Sequence, residues 1–470
     1  MGTAPRLRLA LALLGVAAAM PAAAVAAPAR VSLRQVSGPT PFPAGCPGAA
    51  FDDTMIPGQE VEPSITANRA RPNNVVAAWM QDSGPDSVRS DVTASSRNGG
   101  RTWTRTTIPG LTKCEGGTAD SAADPWLSSG GDGTVYFAGL APIFDGHTPL
   151  QTIVASHSVD GGRSWAVPTT LVPPANGNET PAITGSPTQP GRAYEVWAEF
   201  ATGDIHFSTT SDRGATWSPS VVVDPSIPNA IDLVPRLLVL PDGTLLTIFA
   251  RGELDTLTGR VLATRSRDGG RTWTPLVQLF AQPIEKFFDD HGEELPIPQY
   301  PNVAVAPDGT VYATVEAPSS ATSGVIAVAR SRDGGARWST VTSPGVGAYA
   351  FEPTIAVDSH GTVGMTWYDL RRDRPGDAPL RADVWFASSR DQGATWKETH
   401  VAGTDLRTAA LARQNRVGEY QGLTASGPHR FVAILTLAAP FATDGPTDIF
   451  AARISDVRCR HGRGCARRAP

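Results

Sequence analysis

The sequence predicts an all-β protein, a β-propeller of four-stranded blades, on three observations. A turn closed by tryptophan recurs six times. A strand-start motif recurs seven times, and six of the copies carry a proline and stand about 40 residues ahead of a closing tryptophan. The stretches between alternate apolar and polar residues and are rich in β-branched side chains, the pattern of half-buried strands. Four-stranded units repeated at about 40 to 65 residues define blades ringing a central channel and covering one another's edges.

In chain order, Arg6 and Arg8 precede an apolar run, Leu9 to Met20, and Ala24-Val25-Ala26 supplies a small-residue cleavage site. Residues 1–26 therefore read as a secretory signal peptide, and the mature protein as exported. No later segment approaches the about 20 apolar residues of a membrane span. Residues 27–57 form an N-terminal segment, 58–457 the repeats and 458–470 a basic tail. The formal charge of −5 becomes −7 without Arg6 and Arg8, which argues against nucleic-acid binding. Four cysteines remain, Cys46, Cys114, Cys459 and Cys465. In an oxidising compartment two disulfides are expected, with Cys46–Cys114 and Cys459–Cys465 favoured among three pairings. CxxC spacing is absent, and neither a metal nor a cofactor is expected. The acidic run DDHGEE (289–294) reads as a solvated loop rather than a calcium site. A monomer is expected.

The turns are SRNGGRTW (96–103), SVDGGRSW (158–165), TSDRGATW (210–217), SRDGGRTW (266–273), SRDGGARW (331–338) and SRDQGATW (389–396). The strand starts are EPSITAN (62–68), DPWLSSG (124–130), TPAITGS (180–186), VPRLLVL (234–240), YPNVAVA (300–306), EPTIAVD (352–358) and YQGLTAS (420–426). Seven starts predict seven blades, and six turns give the rival count of six. The last unit runs out after TDIFAARI (447–454), one strand short, and VSLRQVS (31–37) is placed to supply it and close the ring.

The S-x-D-x-G-x-T-W turn resembles the Asp box, or BNR repeat, of the sialidase (neuraminidase) superfamily. Its aspartate suits a backbone-bonding turn, its glycines permit positive φ, and its tryptophan buries a large surface. Asn98 replaces the aspartate in the first copy, which fits a hydrogen-bonding role and not an acid. The turns are thus structural, and function is expected on the opposite face, where first strands begin and second strands end.

Those positions offer Glu62, Asp124, Thr180, Arg236, Tyr300, Glu352 and Tyr420, and Asp82, Glu199, Arg251, Glu316, Asp369, Arg371 and Arg372. The resemblance implies a tyrosine nucleophile helped by a glutamate, an aspartic acid/base and three arginines clamping a substrate carboxylate. Carried onto this chain, Tyr420 is the nucleophile and Glu352 or Glu419 its helper. Asp82 and Asp124 are candidate acids, and Arg236, Arg251, Arg371, Arg372 and Arg416 candidate clamps. Glu62 and Tyr300 complete the substrate-binding candidates. The family's early R-I-P is absent, and V-E-P (61–63) stands in its place, where an acid repels a carboxylate substrate. Three readings follow: a secreted sialidase-type hydrolase acting on a glycan, a propeller that binds glycan or protein without turnover, and a two-carboxylate glycosidase for neutral sugars.

Overall fold

The computed structural model describes residues 29–456, apart from 48–54, 85–87, 146–147, 226, 228, 254, 256–257, 284–286, 289–293, 296–299, 321–322, 346–348, 375 and 410–416. The proposed signal peptide, Cys459, Cys465, Arg416 and most of the 289–294 acidic run lie outside the described residues. Seven four-stranded antiparallel sheets form, as the seven strand starts predict. Blade 1 comprises Glu60–Ala67, Val75–Gln81, Ser90–Ser96 and Thr104–Thr107. Blade 2 comprises Ala123–Ser129, Val135–Leu140, Ile153–Ser158 and Thr169–Thr170. Blades 3 to 6 repeat the order, with first strands Asn178–Gly185, Ala230–Val239, Asn302–Val305 and Ala350–Val357. Each first strand packs beside the next, and that of blade 7, Gly422–Gly427, returns to Glu60–Ala67, so the ring is closed. Second strands such as Val75–Gln81 are buried along their whole length, because neighbouring blades cover both faces.

Blade 7 is completed by the N-terminal segment. Arg30–Gln35 pairs antiparallel with Asp448–Ser455, from Arg30 opposite Ser455 to Gln35 opposite Phe450. This explains why seven blades carry six tryptophan turns. The turn joins third to fourth strand, and in blade 7 those strands come from opposite ends of the chain.

Each turn tryptophan packs into the seam with the preceding blade. Trp165 lies with Val76 and Ala78 of blade 1 and Phe137 of blade 2. Trp273 lies with Phe207 of blade 3 and Leu245 of blade 4, and Trp338 with Leu246 of blade 4 and Val311 of blade 5. The seam between blades 6 and 7 has no such tryptophan and is filled by Phe351, Tyr368, Phe386 and Phe431. The Asp268 carboxylate accepts the Arg271 and Thr272 N–H groups at 3.0 and 2.9 Å and the Thr272 hydroxyl at 2.6 Å. Asn98 accepts the equivalent Arg101 and Thr102 N–H groups at 3.0 Å each. The turns abut the first-to-second turns of the preceding blade, as where Asn74 Nδ2 donates to the Gly161 carbonyl and Gln392 Nε2 to Asp308. They therefore share the face opposite the strand starts.

Cys46 and Cys114 form a disulfide, with Cα atoms 5.4 Å apart, between the N-terminal segment and the loop after blade 1. A disulfide fits an extracellular protein. Among the described residues, no helix is long and apolar enough to cross a membrane.

Candidate functional site

Five of the six x-P strand starts are β-bulges. Register shifts occur between Val61 and Ser64, Ala123 and Trp126, Glu179 and Ala182, Leu233 and Arg236, and Phe351 and Thr354. In these five the residue before the proline has positive φ: Glu62 57°, Asp124 56°, Thr180 48°, Val234 50° and Glu352 49°. Proline already restricts its predecessor, and positive φ is uncommon away from glycine. Each such residue costs about 1–3 kcal/mol, so five at equivalent positions mark a built feature. Tyr300 and Tyr420 stand just before the first strands of blades 5 and 7 and complete the circle. In blade 4 the residue before proline is Val234. Arg236 follows the proline, the position that Trp126 holds in blade 2.

Arg236 is buried, its guanidinium carbon 3.9 Å from the centre of the Trp126 ring and 5.9 Å from that of Tyr420. Trp126 and Tyr420 meet edge to face at 5.7 Å. The Tyr420 hydroxyl donates to the Pro125 carbonyl at 3.3 Å. The Tyr300 hydroxyl donates to the Glu419 carboxylate. Gly418, at φ 97°, passes so close to Glu62 that a Cβ there would lie 2.7 Å from the Glu62 nitrogen. Asp124, Glu419, Tyr300 and Trp126 keep partial exposure, whereas Glu62, Glu352 and Tyr420 are buried behind them.

Burial and mutual repulsion raise the Asp124, Glu62 and Glu352 carboxyls. The Asp124 carboxyl is pushed up to about 7 by burial and by the charge of Glu419, against the opposing pull of Arg236. Glu62 rises well above the carboxylate range through burial, then Asp124, Glu419 and Glu352. Glu352 rises through burial and the nearby Glu316 and Glu419. Burial also raises the Tyr420 and Tyr300 phenols, and it lowers Arg236 to about 10.

The other described candidates stand elsewhere. Arg251 donates through Nε and Nη2 to Asp232, both at 2.6 Å, and pairs with Asp224. Arg371 pairs with Asp369 at 2.7 Å and Glu398 at 2.8 Å, stacked 4.0 Å over Trp385. Arg372 lies 3.7 Å from Asp383. Asp82 accepts from Gly58 N–H at 2.9 Å, Thr40 hydroxyl at 2.8 Å and Arg89 at 3.2 Å, tying the N-terminal segment to blade 1. Sequence reasoning missed Trp126, Asp91 and Glu179. Trp126 was signalled by its place directly after the blade 2 proline. Asp91 is buried without a hydrogen-bond partner among the described residues, and Glu179 is pushed up to about 8 by burial and Asp124. Among the described residues, no group of three or more His, Cys, Asp or Glu is placed to hold a metal ion.

No protein-family model matches the chain, and no curated protein matches it in sequence. Solved structures do share its fold. A polysaccharide lyase of family PL25, an ulvan lyase bound to a GlcA–Rha3S segment, aligns with TM-score 0.50 and 11% identity over 84% of this chain and 94% of its own. The α-L-arabinofuranosidase Arb93A of Fusarium graminearum aligns at 0.48 with 13% identity over 91% and 97%. A Hadza microbial sialidase aligns at 0.47 with 14% identity over 81% and 76%.

Proposed function

We propose that the chain is an exported, carbohydrate-directed hydrolase that cleaves an uncharged sugar with a carboxyl pair, Asp124 as proton donor and Glu419 as its ionised partner. The observation that carries this reading is the scarcity of positive charge among the clustered carboxyls of the channel mouth. Four acids, Glu62, Asp124, Glu352 and Glu419, act on one another there, and Arg236 is the one cation that acts on Asp124 among the described residues. A substrate carboxylate would find one described cation there to hold it, whereas a neutral ring needs none.

Roles follow from the surroundings. Asp124 keeps its proton up to about pH 7 and has partial access to the channel, which suits protonation of a glycosidic oxygen. Glu419 accepts from Tyr300, which orients it to support the developing positive charge at the anomeric carbon. The partly exposed Trp126 side chain adds an apolar surface beside Arg236 for a sugar. Fold-sharing propellers whose names describe action on polysaccharide, arabinoside and sialoside agree with a carbohydrate role.

A sialidase-type reading takes Tyr420 as nucleophile, Glu352 or Glu419 as helper, and three of Arg236, Arg251, Arg371, Arg372 and Arg416 as clamp. Arg236 stands at the mouth and Arg416 lies outside the described residues, while Arg251, Arg371 and Arg372 would have to leave their present acid partners. The discriminating experiment is an assay of the purified mature protein on aryl glycosides of neutral sugars and on an aryl sialoside. Hydrolysis of a neutral glycoside, declining above about pH 7, is expected. Hydrolysis of the sialoside alone would overturn the proposal. Retention on a glycan array with no hydrolysis at all would assign a binding module instead.

A further inference from the structure

On the turn face, away from the channel mouth, a cleft of about 170 Å³ opens at the seam where the ring closes. Arg101, Arg430 and Arg453 line it, with Asn73, Asn98 and Ser426. Arg101 comes from the blade 1 turn, and Arg430 and Arg453 from the second and third strands of blade 7. Arg453 donates to the Gly99 carbonyl at 2.9 Å and to the Ser32 hydroxyl at 3.3 Å, so it touches both blade 1 and the closing strand. Arg101 donates to the Asn98 carbonyl at 3.1 Å.

No carboxylate lines this cleft, and among the described residues none pairs with any of its three arginines. The reason is partly local. Five turns carry an aspartate, Asp160, Asp212, Asp268, Asp333 and Asp391, and the turn facing this seam carries Asn98. The amide makes the same backbone bonds, so the fold does not require the exchange. Its electrostatic consequence is to remove a negative charge beside Arg101. The remaining groups are guanidinium, amide and hydroxyl donors, and burial, followed by the like charges of Arg101 and Arg430, pushes the Arg453 guanidinium down. Three clustered cations facing a cleft without an acid are matched by an oxyanion, which guanidinium binds in bidentate fashion.

We infer that the Arg101–Arg430–Arg453 cleft is a binding site for a tetrahedral oxyanion, free sulfate or phosphate or the sulfate ester of a glycan, and that its occupant ties blade 7 to blade 1. The inference is independent of the chemistry at the channel mouth.

Binding is measured by calorimetry and by thermal unfolding with sodium sulfate, sodium phosphate and a monosulfated monosaccharide. Sodium chloride at matched ionic strength is the reference, because sulfate also stabilises proteins by exclusion from their surface. Saturable binding and a rise in midpoint temperature are expected, with Arg430→Gln weakening binding about tenfold. Asn98→Asp is the second variant. It restores the residue found in the other five turns, is expected to fold normally, and should weaken binding by placing a carboxylate on the rim. A free anion or a sulfate ester as the tighter ligand identifies the source, and either supports the site. No saturable binding above chloride, or an Asn98→Asp variant that binds as tightly as wild type, overturns it.

Discussion

The Arg236 guanidinium lies over Trp126, 3.9 Å from the ring centre, and links the first strands of blades 2 and 4 across the channel mouth. Its charge is the one that opposes the rise of Asp124. Arg236→Met keeps the apolar stem and removes the charge. The Asp124 carboxyl then holds its proton to higher pH, and the alkaline limb of the pH–rate profile is expected to move upward from about 7. An unmoved limb would separate Asp124 from the proton-donating role.

The buried acids also set the pH dependence of folding. Glu60 and Glu179 are pushed up to about 8 and Asp124 to about 7, each chiefly by burial. A carboxyl whose folded pKa exceeds its unfolded value binds its proton more tightly when folded. Stability therefore falls as pH rises from about 4 toward 8. Asp160 and Asp212, lowered to about 2 by turn hydrogen bonds, act oppositely and lose their contribution as pH falls from about 4 toward 2. Midpoint temperatures are expected to peak near pH 5, with Glu60→Gln flattening the neutral side. A midpoint temperature that rises from pH 5 to 8 would contradict this.

The turn tryptophans are expected to report the seams. Trp165 is buried between blades 1 and 2, and its indole N–H donates to Thr93 Oγ1 at 3.0 Å. Trp165→Ala should cost about 3–5 kcal/mol by urea denaturation. Loss of under about 1 kcal/mol would mean that the seam repacks freely.

The turn aspartates divide hydrogen bonding from charge. Asp268→Asn retains the acceptor that Asn98 uses in the first turn, whereas Asp268→Ala leaves the Arg271 and Thr272 N–H groups without it. Thermal unfolding should place asparagine near wild type and alanine clearly below it, with hydrolytic activity unchanged in both. Equal losses for the two variants would make the carboxylate charge essential.

The architecture was legible because it is local and repeated. Seven strand starts, six turns and the strand-forming VSLRQVS segment specify a ring with one closing strand taken from the other end of the chain. The mouth was legible only as a set of positions. Glu62, Asp124, Glu352, Tyr300 and Tyr420 are brought together because each starts a first strand. Arg251, Arg371 and Arg372 end second strands or begin the loops after them; Asp369 and Asp383 lie in the same mixed-charge loop as Arg371 and Arg372, whereas Asp232, which takes up Arg251, stands on the preceding strand, where Arg251's own segment gives no sign of it. Position within the motif misled in one case. Arg236 follows its proline, and beyond the bulge it meets Trp126 and Tyr420 at the mouth. Left-handed backbone before proline runs against local preference, so only the closed ring could reveal it.

The central claim is that a carboxyl pair, and not a tyrosine, carries the chemistry. The most direct measurement compares kcat for wild type, Asp124→Asn and Tyr420→Phe on whichever aryl glycoside the mature protein hydrolyses. Losing the proton donor should lower kcat about 10²–10⁴-fold in Asp124→Asn, while Tyr420→Phe, which gives up a 3.3 Å hydrogen bond to Pro125, stays within about tenfold of wild type. Abolished turnover in Tyr420→Phe, with Asp124→Asn still active and a sialoside as the preferred substrate, would contradict the account.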